Sequence, residues 1–210
     1  MGKTTIRKKI VSSQIINFQL KMRIGLYFGT FNPVHNGHLA IAEGMYKQGL
    51  FDAVWFVVSP NSPFKEYNLL LDEHKRLDLV KLAIEKLPYC TASDIEFAME
   101  RPSYTYLTLR KLKEKHPEHI FSIIMGEDNL NGIEKWKNYE EIIQNHAIYV
   151  YPRGEISQRK NMKNVFYIDL PLLNISSSQI RERLQKGESI AEFVPDNIIK
   201  MIEKERIRVS

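Results

Sequence analysis

The chain has one cysteine, Cys90, in 210 residues, so no internal disulfide can form and the sequence suits a reducing, cytoplasmic compartment. A lone cysteine is more often a small core residue than a nucleophile. No apolar run approaches the length that crosses a bilayer, which excludes a helical membrane protein. Acidic residues are missing from Met1 to Arg23, a stretch that instead carries Lys3, Arg7, Lys8, Lys9, Lys21 and Arg23. It also lacks a sustained apolar core and a small-residue cleavage site, which argues against a secretory signal. Residues 1–21 therefore read as a basic N-terminal extension, and 22–210 as the folded domain. Internal repeats and low-complexity tracts are missing too.

What is present is ordinary for a globular domain: 43% hydrophobic and 26% charged residues, enough to bury a core without metal staples. The formal net charge of +5 suggests anionic partners. Six of the positive charges sit in the first 23 residues, however, so the folded part is close to neutral. With no aromatic-interleaved basic patch, a nucleic-acid role finds no support. Oligomeric state stays open, a homo-oligomer included.

Short apolar runs alternate with amphipathic stretches. Strands are expected at 23–28, 53–59, 90–97, 119–125, 147–152 and 165–169. Helices are expected at 38–48, 72–87, 105–116, 136–144, 176–186 and 196–204. This alternation predicts an α/β domain, doubly wound around a mainly parallel sheet, with flanking helices and a small C-terminal helical part. In such sheets ligands bind outside the carboxyl ends of the strands.

The most informative segment is GTFNPVHNGH, Gly29 to His38, directly after the first strand. Gly29 allows close backbone approach or an unusual dihedral, Pro33 stiffens the turn, and Gly37 opens a helix whose N–H groups attract anions. His35 and His38, three apart, point into one cleft if a helix begins there. A plain strand–turn–helix connection would need one histidine as a cap. The full spacing favours two imidazoles donating to phosphate oxygens.

The second segment is NISSSQIRER, Asn174 to Arg183. Ser176, Ser177 and Ser178 make a strong helix start, and capping alone explains one of them. Three hydroxyls with Arg181 suit a triphosphate, since arginine binds phosphate bidentately.

Together these segments resemble the HxGH nucleotidylyltransferase superfamily. SPNSPFK (Ser59 to Lys65), ERPSYTYLTL (Glu100 to Leu109) and MGEDNLNGIEKWKNYEEI (Met125 to Ile142) resemble one branch of it, the bacterial nicotinate-nucleotide adenylyltransferases. The similarity runs from about Met22 to the end. Asn32 replaces an aspartate often found in the histidine motif, and Leu107 stands where the branch usually has another.

The resemblance implies a Rossmann-like fold. It also implies in-line attack of a nicotinate mononucleotide phosphate on the α-phosphorus of ATP, giving the deamido dinucleotide and pyrophosphate in NAD biosynthesis. No covalent intermediate is expected, and catalysis rests on positioning and electrostatics. By the same resemblance His35, His38 and Arg181 serve catalysis. Gly29, Thr30, Phe31, Lys65, Ser176, Ser177 and Ser178 serve the nucleotide, while Thr105, Asp128 and Trp136 serve the pyridine end. Magnesium would arrive with ATP and keep most of its waters. Nicotinamide mononucleotide and phosphopantetheine are the rival acceptors, and a catalytically silent nucleotide-binding regulator is the rival class. Intact His35, His38 and Arg181 argue against the last.

Overall fold

The computed structural model describes residues 20–60, 71–152, 162–171 and 174–204. The basic extension lies outside these residues except for Leu20 and Lys21. Six strands form one sheet: β1 (Arg23–Gly29), β2 (Ala53–Val58), β3 (Cys90–Ser93), β4 (Ile120–Gly126), β5 (Ile148–Tyr151) and β6 (Val165–Tyr167). Their order is β3-β2-β1-β4-β5-β6, and every pairing is parallel. The apolar strands suit this arrangement, because a parallel sheet is covered on both faces.

The helices are α1 (Asn36–Lys47), α2 (Glu73–Ala83), α3 (Thr105–Lys115), α4 (Glu127–Asn131), α5 (Tyr139–Asn145), α6 (Ser177–Lys186) and α7 (Asp196–Lys204). Side chains of successive strand residues point to opposite faces, and two cores result. Tyr27, Val54, Phe56 and Ile124 join Ile41 and Met45 of α1, Leu79 and Val80 of α2, and Ile198 and Ile202 of α7. Ile24, Leu26, Ile123 and Val150 join Leu109 and Leu112 of α3, Leu130 of α4 and Ile142 of α5. The C-terminal helices are thus part of the first core. Asn197 Nδ2 donates to Leu82 O at 2.7 Å, and Asn36 N to Phe193 O at 2.8 Å, which fastens this segment to both α2 and the start of α1.

Several boundaries differ from the expectation. The third strand stops at Ser93, after which Asp94 and Glu96 accept turn hydrogen bonds from Phe97 and Met99. The helix expected from Trp136 begins at Tyr139, because Asn138 adopts φ +56° and breaks the approach. A short helix, α4, and a 3₁₀ turn over Ile133–Lys135 fill the connection before it. Cys90 is partly buried in the first core, and burial pushes its thiol up to about 12, as expected for a packing residue.

Candidate active site

The register explains where the sheet opens. Between β1 and β2 the pairing runs to Gly29 opposite Val58, and Ser59 N extends it by donating to Gly29 O at 2.9 Å. Between β1 and β4 it ends earlier, at Tyr27 opposite Ile124, although both strands continue. The two strands therefore part at the point where the strand order reverses. A cavity of about 670 Å³ occupies that place, floored by Tyr27, Phe28 and Ile123 to Met125. This is the position the fold class predicts for a ligand.

The turn from β1 to α1 forms one wall. Phe31 takes φ +46°, a costly conformation for a non-glycine residue. Its ring is buried against Tyr27 and Phe56 and meets His38 edge-on at 5.1 Å between centroids. A Cβ on Gly29 would come within 2.9 Å of that ring, so Gly29 is needed for close approach and not for a special dihedral. At Gly37 a Cβ would lie 3.0 Å from the His35 ring. Both glycines make room for the aromatic groups that shape the wall.

Helix α1 starts at Asn36, two residues before the expected start, and His35 is its N-cap. The capping role and the place in the cleft therefore coincide in one residue. His35 N donates to His38 Nδ1 at 3.2 Å, and the two rings stack with centroids 3.6 Å apart. A His38 Nδ1 that accepts leaves the ring proton on Nε2. His38 is half-buried and lines the cleft, so it offers a donor there.

The serine segment forms the adjoining wall. Ser176 caps α6, its Oγ accepting from Gln179 N at 3.2 Å. Ser177 Oγ donates to Pro33 O at 3.0 Å and so ties α6 to the histidine turn. Arg181 donates to Asn32 O at 2.9 Å and to Ser178 Oγ at 3.1 Å. Its side chain thus does reach back toward the helix start. Burial lowers the Arg181 pKa, yet the group stays charged at any physiological pH. Asn32, buried, accepts from Leu71 N through Oδ1 at 3.2 Å, a bond that an aspartate could also make.

Across the cleft lie Tyr104, Thr105, Asp128, Trp136 and Lys137. Thr105 is the first residue of α3, so the cleft collects the amino ends of α1, α3 and α6. The positive ends of three helix dipoles make the site favourable for anions. Trp136 is half-buried against the second core and also lines the cavity, so packing holds its ring rigid. Lys137 Nζ sits 4.6 Å over the Tyr104 ring. Every residue expected to serve catalysis, the nucleotide or the pyridine end lines this cleft except Lys65, which lies outside the described residues.

Two buried charges escaped the sequence reading. Arg76 on α2 donates to Leu71 O at 2.9 Å, Thr30 O and Ser59 O at 2.7 Å, and Pro60 O at 2.8 Å. It locks the ends of β1 and β2 to α2, with its pKa pushed by burial down to about 10. Its spacing from Val80 and Ala83, four and seven residues on, marks the buried stripe of α2 and was the available signal. Glu96 accepts from Ser103 Oγ and Thr108 Oγ1, both at 2.8 Å, and lines the cleft. A carboxylate thus still supports the SYT segment, though Leu107 is not its source. Burial raises the Glu96 pKa, and the hydroxyl contacts oppose that rise.

Comparison with known proteins agrees with this geometry. A family model described as cytidylyltransferase-like matches residues 26–183. Among curated relatives, a probable nicotinate-nucleotide adenylyltransferase of Flavobacterium psychrophilum is 48% identical over 87% of this chain and 96% of its own length. One from Cytophaga hutchinsonii is 44% identical over 86% and 95%, respectively. The fold is shared with the Plasmodium falciparum nicotinic acid mononucleotide adenylyltransferase solved in complex with NaAD. There the TM-score is 0.77 at 23% identity, over 89% of this chain and 97% of that one. On the strength of the family match and the curated relatives, the chain belongs to the cytidylyltransferase-like family, within the group of nicotinate-nucleotide adenylyltransferases.

Proposed function

We propose that the cleft transfers the adenylyl group of ATP to nicotinate mononucleotide. A phosphate oxygen of the mononucleotide attacks the α-phosphorus, the bond to the bridging oxygen breaks, and pyrophosphate leaves with that electron pair. The attacking phosphate is already ionised near neutral pH, so no general base is required. The observation that carries this reading is the union of the histidine turn and the serine–arginine helix on one cleft, tied by Arg181 to Asn32 and Ser177 to Pro33.

In this reading His38 donates Nε2–H to an α-phosphate oxygen, where charge develops in the transition state, and His35 stacks behind it. Two of the five guanidinium donors of Arg181 hold the wall, and the others serve the β- and γ-phosphates with the amino end of α6. Backbone groups of Gly29, Thr30 and Phe31 line the nucleotide. Trp136 stacks on the pyridine ring, and Thr105 at the amino end of α3 receives the nicotinate carboxylate. Asp128 faces a ribose hydroxyl.

Magnesium fits the donors that line the cavity. They include two carboxylates, Asp128 and Glu96, and Glu96 is taken up by Ser103 and Thr108. The ion would be held mainly by phosphate oxygens and its own waters, and would neutralise charge on the leaving pyrophosphate. Among the described residues no helix is long and apolar enough to cross a membrane. A reducing, cytoplasmic setting belongs to the same reading and is supported by the single cysteine.

The test is pyrophosphate release from ATP and magnesium with nicotinate or nicotinamide mononucleotide, wild type beside His38→Ala. Release with the acid, little with the amide, and a rate lower by about 10²–10³-fold in the variant are expected. Preference for the amide would overturn the acceptor, and no release with either would overturn the reaction.

A further inference from the structure

A second group of ligating side chains lies at the opposite end of the sheet. His116, Glu118 and His119 sit in the turn between α3 and β4, at the amino end of a strand whose carboxyl end reaches the cleft. One ligand atom from each of the three lies within 4.8 Å of the others. His119 Nε2 is 3.4 Å and His116 Nδ1 3.9 Å from Glu118 Oε1. Ligand atoms around a tetrahedral zinc ion stand about 3.4 Å apart, so a shift of about 1 Å in one imidazole closes the set.

Hydrogen bonds order the backbone of the turn that carries these groups. His116 N donates to Leu112 O at 2.9 Å and His119 N to His116 O at 3.1 Å. Lys113 Nζ bonds Pro117 O at 2.8 Å and His119 O at 3.3 Å. Trp55 meets the His116 ring edge-on at 5.3 Å, and Phe121 meets the His119 ring at 6.2 Å. The two imidazoles lie parallel, 3° apart. Glu118 Oε1, the atom that faces both imidazoles, is buried without a hydrogen-bond partner, which a buried polar atom rarely tolerates.

We propose that His116, Glu118 and His119 bind one divalent transition-metal ion. Two imidazoles with one carboxylate select zinc, cobalt, nickel or copper over magnesium. The carboxylate offsets one positive charge of the ion, and the ammonium of Lys113 is engaged by the carbonyls of Pro117 and His119. Three protein ligands leave a position for water. The ion would clamp the end of α3 to the start of β4, away from the chemistry at the cleft.

The experiment uses the untagged, metal-free full chain. Zinc is titrated by calorimetry and cobalt by visible absorption, both with excess magnesium. Expected are one saturable equivalent and cobalt bands of a four-coordinate, nitrogen-containing site. Glu118→Gln and the double variant His116→Ala/His119→Ala should weaken binding by at least about tenfold. Both variants should keep wild-type adenylyl transfer, which shows that they fold, while His38→Ala should bind metal like wild type. Absence of a saturable equivalent, or loss of it in His38→Ala instead of the turn variants, overturns the proposal.

Discussion

Arg181 donates to the backbone carbonyl of Asn32 at 2.9 Å, joining residues 149 apart in sequence. Through this bond the helix that carries the serines sets its distance from the histidine turn on the other wall of the cleft. Positioning of this kind is what nucleotidyl transfer asks of a protein.

Arg181→Ala should therefore fail in two ways. The rate of pyrophosphate release should fall by about 10²–10³-fold, and the melting midpoint by about 2–4 °C from the lost tie. Arg181→Lys should recover most of the stability but not the rate, because an ammonium cannot serve Asn32, Ser178 and phosphate together. A lysine variant with wild-type turnover would refute the role.

Trp136→Ala should raise KM for the mononucleotide by up to about tenfold, the value of one aromatic contact, with KM for ATP nearly unchanged. Steady-state kinetics with each substrate varied in turn separates the two. An equal rise in both constants would mean that the ring is packing alone.

Arg76→Met should be severely destabilising although it touches no substrate. Four carbonyls, of Leu71, Thr30, Ser59 and Pro60, would lose their donor inside the protein. The expected cost is about 3 kcal/mol or more, read in urea as a lower midpoint at constant m. A neutral result would show that these carbonyls find other donors.

Glu96 gives a pH signature. Its folded pKa is raised above the ordinary carboxyl value by burial. The folded state then binds the proton more tightly than the unfolded chain, so this group favours folding below about pH 4.5. That contribution is lost as pH rises through the folded pKa. Relative to Glu96→Gln, the wild type should lose stability from about pH 4.5 upward, measured by urea unfolding across that range. A flat difference would mean that Ser103 and Thr108 offset the burial fully.

Much of the site could be read before the fold. His35, His38, Arg181 and the three serines stand in short motifs where residue type and spacing act together, and backbone physics places such motifs after a strand or at a helix start. Arg76 carried only a weak signal in its spacing and Glu96 none, because charged residues usually face solvent. Only the packing of α2 against the strand ends, and of the SYT segment over the cleft, makes them interior. Trp136, expected at the pyridine end, lines the cleft, but the helix expected to begin at it starts at Tyr139. Asn138 is compatible with both helix and left-handed turn, and tertiary packing chose the turn.

The sequence by itself determined the order of strands and helices along the chain and the motifs whose residues line the cleft, since hydrophobic period and local motifs act over a few residues. The tertiary structure decided the rest. Where β1 and β4 part is fixed by long-range pairing, and the meeting of Asn32 with Arg181 by helices packed on a common core. The proximity of His116, Glu118 and His119 depends on a turn closed by Lys113 against Trp55 and Phe121. Contacts between distant segments carry no local signal, and they become definite only when burial of both cores leaves one arrangement for the chain.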